Sequence, residues 1–327
     1  MSVIKRRSVS KRAVLIFVLG QAQALMLPAL VREYEGEAVF VFSVYPVPRD
    51  LGVRVINIKP SSFFDGGALI LWAVIVGWRL KRFSEVVIFT PHILNFMANK
   101  FYYLCRDRVS LFFLFDGILN YRKVLADQEP MLSYQRRQRF KSGLVLHRYR
   151  AVRGRVVDTQ LEGAKGLVGP EGIIESRLDF DLPVKKIPLL LGGYSPQRAV
   201  LVLEPRLEGA ALSDFQSRLS GIIKSQYSDC TVLVKPHPSL TKSALSFTEL
   251  EKFCVSVQLL ANTAPAELMF AEYGCIAVFS SLSSALLLIK AVFPSVDAYA
   301  ILTGDEIKDF ELRRIVGLME SVGVVLV

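Results

Sequence analysis

Cysteine and histidine are scarce in this chain, whose 327 residues include four cysteines and three histidines. The cysteines are far apart, none forms a C-x-x-C pair, and no histidine has a spacing that would complete a zinc site. We therefore expect reduced thiols in or near a hydrophobic core, as in cytosolic proteins, and neither a disulfide framework nor a zinc centre. The four cysteines are Cys105, Cys230, Cys254 and Cys275.

A continuous apolar run long enough to cross a membrane is also lacking. Residues 66–78 form an uncharged, mostly apolar run of 13 residues, whereas a helix needs about 20 residues to cross a bilayer. We expect a buried helix there that ends at Arg79. The composition is 52% hydrophobic and shows no repeat, which excludes a disordered or fibrous protein and favours a globular one.

Negative charge is sparse in the first half of the chain. The net charge is +10, but residues 1–150 carry 23 basic and 10 acidic side chains, while residues 151–327 carry 17 and 20. Residues 136–155 alone contain eight cations. Such a cluster is typical of either a solvated surface or a patch that binds phosphate, carboxylate or an anionic membrane. Its members are Arg136, Arg137, Arg139, Lys141, Arg148, Arg150, Arg153 and Arg155.

The start of the chain has two interpretations. Five basic residues precede an apolar run at residues 13–20, which resembles a signal peptide. The same run has the length and composition of a first buried parallel strand, residues 14–19, that ends at Gly20 and leads into a helix. We favour the strand, because the run is short for the apolar core of a signal.

Short apolar runs rich in β-branched and aromatic residues recur along the chain, separated by stretches long enough for helices. Their continuous apolarity predicts strands buried on both faces of a parallel sheet. A Gly/Pro-rich stretch at residues 150–195 divides them and predicts irregular connections with a domain boundary near 190. The fold class predicted is therefore α/β with two units, residues 1–190 and 191–327. The runs are 14–19, 38–44, 53–58, 85–90, 109–115, 199–203, 231–234, 255–260, 275–279 and 298–302.

Ligands of open α/β sheets bind beyond the carboxyl ends of the strands, so polar residues that follow predicted strands are the first candidates. Asp116 follows the run at 109–115 and precedes Gly117, which allows close backbone approach. A carboxylate in this position suits a general base, although Asp-Gly is also a common turn.

A second candidate is His237 in the sequence Lys235-Pro236-His237-Pro238, which follows the run at 231–234. The two prolines stiffen the loop and Lys235 adds a positive charge. These features suit a phosphate contact or a general acid for a leaving phosphate, and the alternative is a turn histidine without a function. We assign no role to His92 or His147, which lack such a frame.

Two helix starts in the second half complete the candidate set. Four serines fall within residues 280–284, directly after a predicted strand, and hydroxyls with free N–H groups at a helix start can bind an anion or cap the helix. Glu267 begins another helix, where it suits either the helix dipole or hydrogen bonds from ribose or base.

Taken together, these motifs resemble those of bacterial sialyltransferases and capsular polysialyltransferases. That superfamily is marked by an acidic-acidic-Gly motif, a His-Pro motif and a Ser-Ser/Thr motif, and the resemblance extends from about residue 85 to 290. Residues 116–121 look especially like the polysialyltransferases. The resemblance implies a GT-B fold of two Rossmann-like domains with the active site in the cleft between them. The corresponding segments are Asp116-Gly117, Lys235-Pro236-His237-Pro238, Pro265-Ala266-Glu267 and Ser283-Ser284.

The resemblance also implies roles for single residues. Asp116 would deprotonate the acceptor hydroxyl, and His237 would bind or protonate the phosphate of departing CMP. Phe115 stands where the family has its first acidic residue, so the base is either Asp116, to which we assign it, or a group elsewhere in the chain. Ser280-Ser281 is a rival for the serine motif, but Ser283-Ser284 fits better because the following Ala-Leu continues the family pattern.

The remaining implied residues divide between donor and acceptor. Ser283 and Ser284 would hold the phosphate, Glu267 would contact the nucleoside, and Lys235 and Pro238 would complete the CMP site. The basic domain 1–190 would bind the acceptor and domain 191–327 the donor. The acceptor or membrane contact is assigned to Arg136, Arg137 and Arg139.

The function expected from the resemblance is inverting, metal-independent transfer of sialic acid from CMP-sialic acid to a glycan of bacterial capsule or lipooligosaccharide. We expect no cofactor besides the donor, an anionic or lipid-linked acceptor, and a cytoplasmic protein with peripheral contact to the anionic inner membrane. Four alternatives stay open: another CMP-sugar such as Kdo, legionaminic or pseudaminic acid; a UDP-sugar donor; a noncatalytic glycan-binding homologue; and a nucleic-acid-binding protein, which the acidic second half disfavours.

Overall fold

The computed structural model divides the chain into two compact units. One consists of Met1–Gly169 with Ser176–Leu190, the other of Pro170–Glu175 with Leu191–Val327. The structure describes residues 12–45, 47, 51–58, 63–117, 125–129, 131–157, 160–171, 173, 182–189, 193–237, 243–260, 264–303 and 310–327.

The first unit is built on a seven-stranded sheet in the order β3-β2-β1-β4-β5-β6-β7. The pairings from β3 through to β6 are parallel. The apolar run at residues 13–20 forms most of β1, an interior strand of this sheet, which confirms the strand interpretation. The strands are β1 Arg12–Val18, β2 Ala38–Ser43, β3 Arg54–Asn57, β4 Glu85–Thr90, β5 Val109–Leu114, β6 Ala164–Pro170 and β7 Val184–Ile187.

Helices connect these strands. The side chain of Asn95 accepts hydrogen bonds from the backbone N–H groups of Met97 and Ala98 and so caps α3. Helix α3 contacts both α2 and α4, so the three helices lie side by side. The helices are α1 Gln21–Glu33, α2 Phe63–Leu80, α3 Phe96–Leu104 and α4 Met131–Leu144.

The second unit repeats this strand order in a six-stranded sheet, β10-β9-β8-β11-β12-β13, in which each pairing is parallel. In both units the first strand is central and the chain winds outward on each side, as in Rossmann-like folds. The strands are β8 Ala199–Leu203, β9 Thr231–Lys235, β10 Ser256–Leu259, β11 Ala277–Ser280, β12 Asp297–Ala300 and β13 Val325–Leu326. The helices are α5 Gly209–Gln226, α6 Phe247–Glu251, α7 Ala266–Glu272, α8 Ser284–Val292 and α9 Phe310–Ser321.

The Gly/Pro-rich stretch at residues 150–195 was expected to be irregular, but it contains β6 and β7. Glycine is needed at this point because two backbones approach closely. A Cβ on Gly163 would overlap the Val109 carbonyl oxygen, and one on Gly166 would lie 2.7 Å from the Pro183 carbonyl oxygen. Because these positions must be glycine, the sequence lacks there the β-branched and aromatic side chains that would have indicated a strand.

The expectation of a buried helix at residues 66–78 was only partly right. These residues belong to α2, but Leu71, Val74 and Trp78 are 58%, 47% and 56% exposed. One face of the helix packs on the unit, through side chains such as Ala73 and Val76, and the opposite face is apolar as well. No helix within the described ranges is long and apolar enough to cross a membrane.

We expect Gly163→Ala to lower the free energy of unfolding by about 3 kcal/mol, because it combines a left-handed φ of +77° with the contact to Val109. Gly154→Ala is the matched control, since Gly154 has a φ of +78° but no atom within 4 Å of the place that a Cβ would take. It should cost about 1 kcal/mol. Denaturant unfolding measures both values, and equal losses would show that the backbone contact contributes nothing.

Candidate active site

Asp116 lies at the carboxyl end of β5, where the sequence predicted it. Phe115 precedes it, with a fully buried side chain and an N–H that donates to the Val168 carbonyl oxygen at 2.8 Å. Gly117 follows with a φ of +65°, a left-handed conformation that suits glycine. The half-exposed carboxylate is thereby held at the edge of the first sheet.

Gln23, in the first turn of α1, fixes the orientation of this carboxylate. Its Nε2 donates to the Phe115 carbonyl oxygen at 2.7 Å and to Asp116 Oδ1 at 3.0 Å. A Cβ on Gly20 would lie 2.7 Å from Gln23 Oε1 and 3.3 Å from Asp116 Oδ1, so this position leaves room for the pair only as glycine. The end of β1 and the end of β5 thus build one polar site.

His92 also belongs to the surroundings of Asp116, although we assigned it no role from the sequence. Burial lowers the pKa of His92, and the nearby Asp116 carboxylate acts in the opposite direction. Within the described part of the chain its buried Nδ1 has no hydrogen-bond partner. The sequence showed only that His92 follows a predicted strand by two residues, and the pairing of β4 with β5 in the fold brings it to Asp116.

Two tyrosines complete the surroundings of Asp116. Burial raises the pKa of Tyr134 to about 12, and it raises the pKa of Tyr45; the Asp116 carboxylate adds to both effects. The Tyr134 ring meets His92 edge-on with centroids 5.9 Å apart. Both hydroxyls therefore stay protonated near neutral pH and are available as hydrogen-bond donors.

In the second unit, Lys235 and Glu267 form a buried pair of opposite charge. Lys235 is the last residue of β9 and Glu267 is the second residue of α7, and their exposures are 4% and 2%. Burial raises the pKa of Glu267 to about 7, with Lys235 opposing the change. Burial lowers the pKa of Lys235, and Glu267 opposes that change. The Glu267 Oε2 atom is buried without a hydrogen-bond partner among the described residues.

His237 lies just beyond Lys235, among further charges. Burial lowers its pKa most, Arg206 and Lys235 lower it further, and Glu204 opposes them. Glu204 follows β8, is 2% exposed, and accepts hydrogen bonds from the backbone N–H groups of Ala244 and Leu245. We did not identify Glu204 or Arg206 from the sequence, although Glu204 directly follows a predicted strand and Arg206 comes two residues later. Pro238 lies outside the described residues.

The serines divide into two pairs with different surroundings. Ser280 ends β11, is 3% exposed, and donates to the Leu203 carbonyl oxygen at 3.1 Å, so it ties β11 to β8. Ser283 and Ser284 are half-exposed and begin α8. The Ser283 hydroxyl accepts from the Ala285 N–H at 3.3 Å and therefore caps the helix. This capping contact was the simpler of the two roles expected for Ser283.

The edge of the second sheet can bind an anion. Strands β9, β8 and β11 are neighbours, so their carboxyl ends bring Lys235, Glu204 and Ser280 to the same edge. Lys235 and Arg206 supply positive charge there, and a buried carboxyl group with a pKa of about 7 can donate or accept a hydrogen bond. Within the described ranges, no group of three or more His, Cys, Asp or Glu side chains is arranged to hold a metal ion.

The cationic cluster lies partly on α4. Arg136, Arg137 and Arg139 are exposed, while the face of α4 that packs on the unit presents Gln135 and Gln138. Gln138 Oε1 accepts from the Phe96 N–H at 3.1 Å, which ties α4 to the start of α3. Arg136 is 3.5 Å from Glu129, and an exposed pair of this kind contributes little stability.

We expect Glu267 to make stability fall as pH rises from 4.5 to about 7. Its folded pKa lies above the ordinary 4.5, so the unfolded chain releases this proton first and the native state loses about 3 kcal/mol across the interval. The glutamine of Glu267→Gln does not titrate. The free energy of unfolding of this variant, relative to that of the native protein, should therefore rise by about 3 kcal/mol between pH 4.5 and about pH 8.

Denaturant unfolding across this pH range measures the effect. Glu272→Gln is the matched control, because it makes the same change at an exposed position of the same helix. Parallel stability profiles for Glu267→Gln and the native protein would contradict the assignment.

Comparison with solved structures identifies the fold. The chain is similar to an alpha/beta-galactoside alpha-2,3-sialyltransferase from Photobacterium phosphoreum, with a TM-score of 0.58 and 13% identity over 98% of this chain and 99% of that chain. The chain therefore has the GT-B fold with two Rossmann-like domains, and the predicted fold class is confirmed. At this level of identity the similarity shows the fold alone.

Other solved structures are less similar. They include the glycosyltransferase SnogD from Streptomyces nogalater, with a TM-score of 0.46 and 14% identity over 97% of this chain and 87% of that chain. A UDP-glucosyltransferase from Polygonum tinctorium has a TM-score of 0.48 and 12% identity over 97% and 84%. No protein-family model and no curated protein matches the sequence.

Proposed function

We propose that this protein is an inverting glycosyltransferase that moves sialic acid from CMP-sialic acid to a glycan acceptor of bacterial capsule or lipooligosaccharide. The observation that carries the proposal is the grouping of Lys235, Arg206 and His237 at the carboxyl edge of the second sheet. The motif resemblance and the fold shared with a sialyltransferase along nearly the whole chain support it.

The second unit supplies the groups that a leaving CMP phosphate needs. Lys235 and Arg206 neutralise negative charge, and the start of α8 with Ser283 and Ser284 presents N–H and hydroxyl donors. His237 has a lowered pKa, so it is largely neutral at pH 7. A bound phosphate favours its protonated form, which allows His237 to donate a proton as the phosphate departs.

The nucleoside is assigned to Glu267. Because its pKa is about 7, the carboxyl group is half-protonated at neutral pH and can donate one hydrogen bond as well as accept others. Its Oε2, which is buried and has no hydrogen-bond partner among the residues that the structure describes, is the atom available for a ribose or base group. In this scheme the carboxyl group binds the donor and takes no part in bond making.

The first unit supplies the base. The acceptor hydroxyl oxygen forms a bond to the anomeric carbon, the bond from that carbon to the phosphate oxygen breaks, and the electron pair leaves with CMP. The acceptor proton passes to the Asp116 carboxylate, which the Gln23 amide holds in position at 3.0 Å. A single displacement of this kind inverts the anomeric configuration, and the cations of the donor site perform the charge neutralisation without a metal ion.

The acceptor is assigned to the basic first half. Arg136, Arg137 and Arg139 are exposed on α4, and the half of the chain that contains them has an excess of 13 cations. An anionic or lipid-linked glycan has the complementary charge. The cysteines described are free, and three of the four are buried, which suits a reducing cytoplasm.

Asp116→Ala and His237→Ala should each lower transfer at least about a hundredfold, because each removes a proton-transfer group. The assay incubates the protein with CMP-sialic acid and other CMP-linked nonulosonates and measures CMP release with and without candidate acceptors. Asp214→Ala, an exposed carboxylate of α5, is a control that should retain full activity.

Full turnover by both variants would remove the assigned roles, provided that their folds persist. If CMP is released only from another CMP-sugar, that sugar is the donor and CMP-sialic acid is not. Turnover of a UDP-sugar would assign a different GT-B reaction. Because Phe115 is buried and supplies no carboxylate, binding of glycan without any CMP release would instead indicate a noncatalytic homologue.

Replacing Arg136, Arg137 and Arg139 together by Ala should raise the KM for an anionic acceptor about tenfold or more and leave the KM for the donor unchanged. Exposed cations act through charge, so the native protein should lose affinity for the acceptor as salt increases and the variant should lose less. Steady-state kinetics at two salt concentrations test this. An unchanged acceptor KM would exclude the cluster from acceptor binding.

A further inference from the structure

Helix α2 exposes an apolar stripe. Leu71, Val74 and Trp78 are 58%, 47% and 56% exposed, and their spacing of three and four residues puts them on one face of the helix. The opposite face already packs on the unit through buried side chains such as Ala73 and Val76. Neither the core nor the candidate active site uses the exposed stripe.

Cations border this stripe. Arg79, Lys81 and Arg82 are exposed at the carboxyl end of the helix, and the Arg82 guanidinium lies 3.9 Å from the Trp78 ring centroid. Arg54 approaches the ring of the other tryptophan, Trp72, at 4.4 Å. Residues 67–84 contain these three cations and no acidic residue, and the next carboxylate along the chain, Glu85, pairs with Arg12.

We propose that α2 is a membrane-docking helix that lies in the surface of an anionic lipid bilayer. An exposed stripe with tryptophan and leucine, bordered by Arg and Lys, is the pattern of helices that insert their apolar face at the headgroup boundary. The cations then contact lipid phosphates, and indole rings that carry a guanidinium lie where the bilayer meets water. A second copy of the chain would bring the same positive segment to the interface, whereas anionic lipid supplies the missing negative charge.

The proposal is independent of the transfer reaction and can be tested without sugar nucleotide. The only two tryptophans of the sequence, Trp72 and Trp78, are both in α2, so tryptophan fluorescence reports on this helix alone. We expect a blue shift of the emission, together with flotation of the protein, on vesicles of phosphatidylcholine mixed with phosphatidylglycerol. Vesicles of phosphatidylcholine alone should bind the protein far more weakly.

The double variant Leu71→Glu with Val74→Glu keeps both tryptophans and should lower the partition coefficient on anionic vesicles about tenfold or more. Lys81→Gln with Arg82→Gln should lower it about fivefold for each cation removed. Leu259→Glu is the matched control, because Leu259 is 54% exposed in the other unit, and it should bind as the native protein does. Circular dichroism and thermal unfolding establish that each variant is folded.

Three results would overturn the proposal. They are equal binding of the native protein and the double Glu variant, equal binding to neutral and anionic vesicles, and a dimer in sedimentation experiments that the double Glu variant dissociates. The last result would assign the stripe to contact between protein copies. Transfer to a short soluble acceptor is measured separately, so a native protein that transfers fully but does not bind anionic vesicles would reject the docking helix and leave the proposed function intact.

Discussion

Burial of both sheet faces is the constraint on which the rest of this structure depends. Inner strands such as β1 and β8 are continuous runs of apolar side chains, and β1 is almost fully enclosed between helices and neighbouring strands. Polar groups are therefore confined largely to the strand ends, where parallel strands bring them to one edge. Asp116 and Gln23 in one unit, and Lys235 and Glu204 in the other, all lie at or just beyond such ends.

The two edges differ in their electrostatics. Around Asp116 the structure collects neutral hydrogen-bonding groups, namely a glutamine, a histidine with a lowered pKa and tyrosines with raised ones. Around Lys235 it collects charges, and burial shifts the pKa values of Lys235 and Glu267 toward each other. The first arrangement suits proton transfer from a neutral hydroxyl, and the second suits an anionic leaving group. The two sheet edges therefore differ in the kind of group that they present, neutral at one and charged at the other, which the net charges of the two halves do not show.

The exposed helix faces of the first unit also differ in chemistry, one being cationic and the other apolar. Helix α4 turns arginines to solvent and buries amide side chains, so its inner face is held by hydrogen bonds such as that from the Phe96 N–H to Gln138. Helix α2 is apolar on both faces, and only one of them has a partner within the unit. Helix α3 lies between these two helices. One helical layer therefore presents both a cationic and an apolar surface to the surroundings.

Local chemistry in the sequence was sufficient for the α/β class, for most strands, and for placing Asp116 and His237 at strand ends. Apolar runs and the residues that follow them are properties of neighbouring positions, so they can be recognised without knowledge of the fold. Strand β6 was missed because glycines stand where side chains would indicate a strand, and Gly163, just before it, meets the backbone at Val109, a contact across about 50 residues. Strand β7 has two lysines in four residues and so shows no apolar run. The grouping of His92 with Asp116, the raised pKa of Glu267 and the exposed face of α2 were decided only by tertiary structure. Burial and charge pairing depend on contacts between residues that are far apart in the chain.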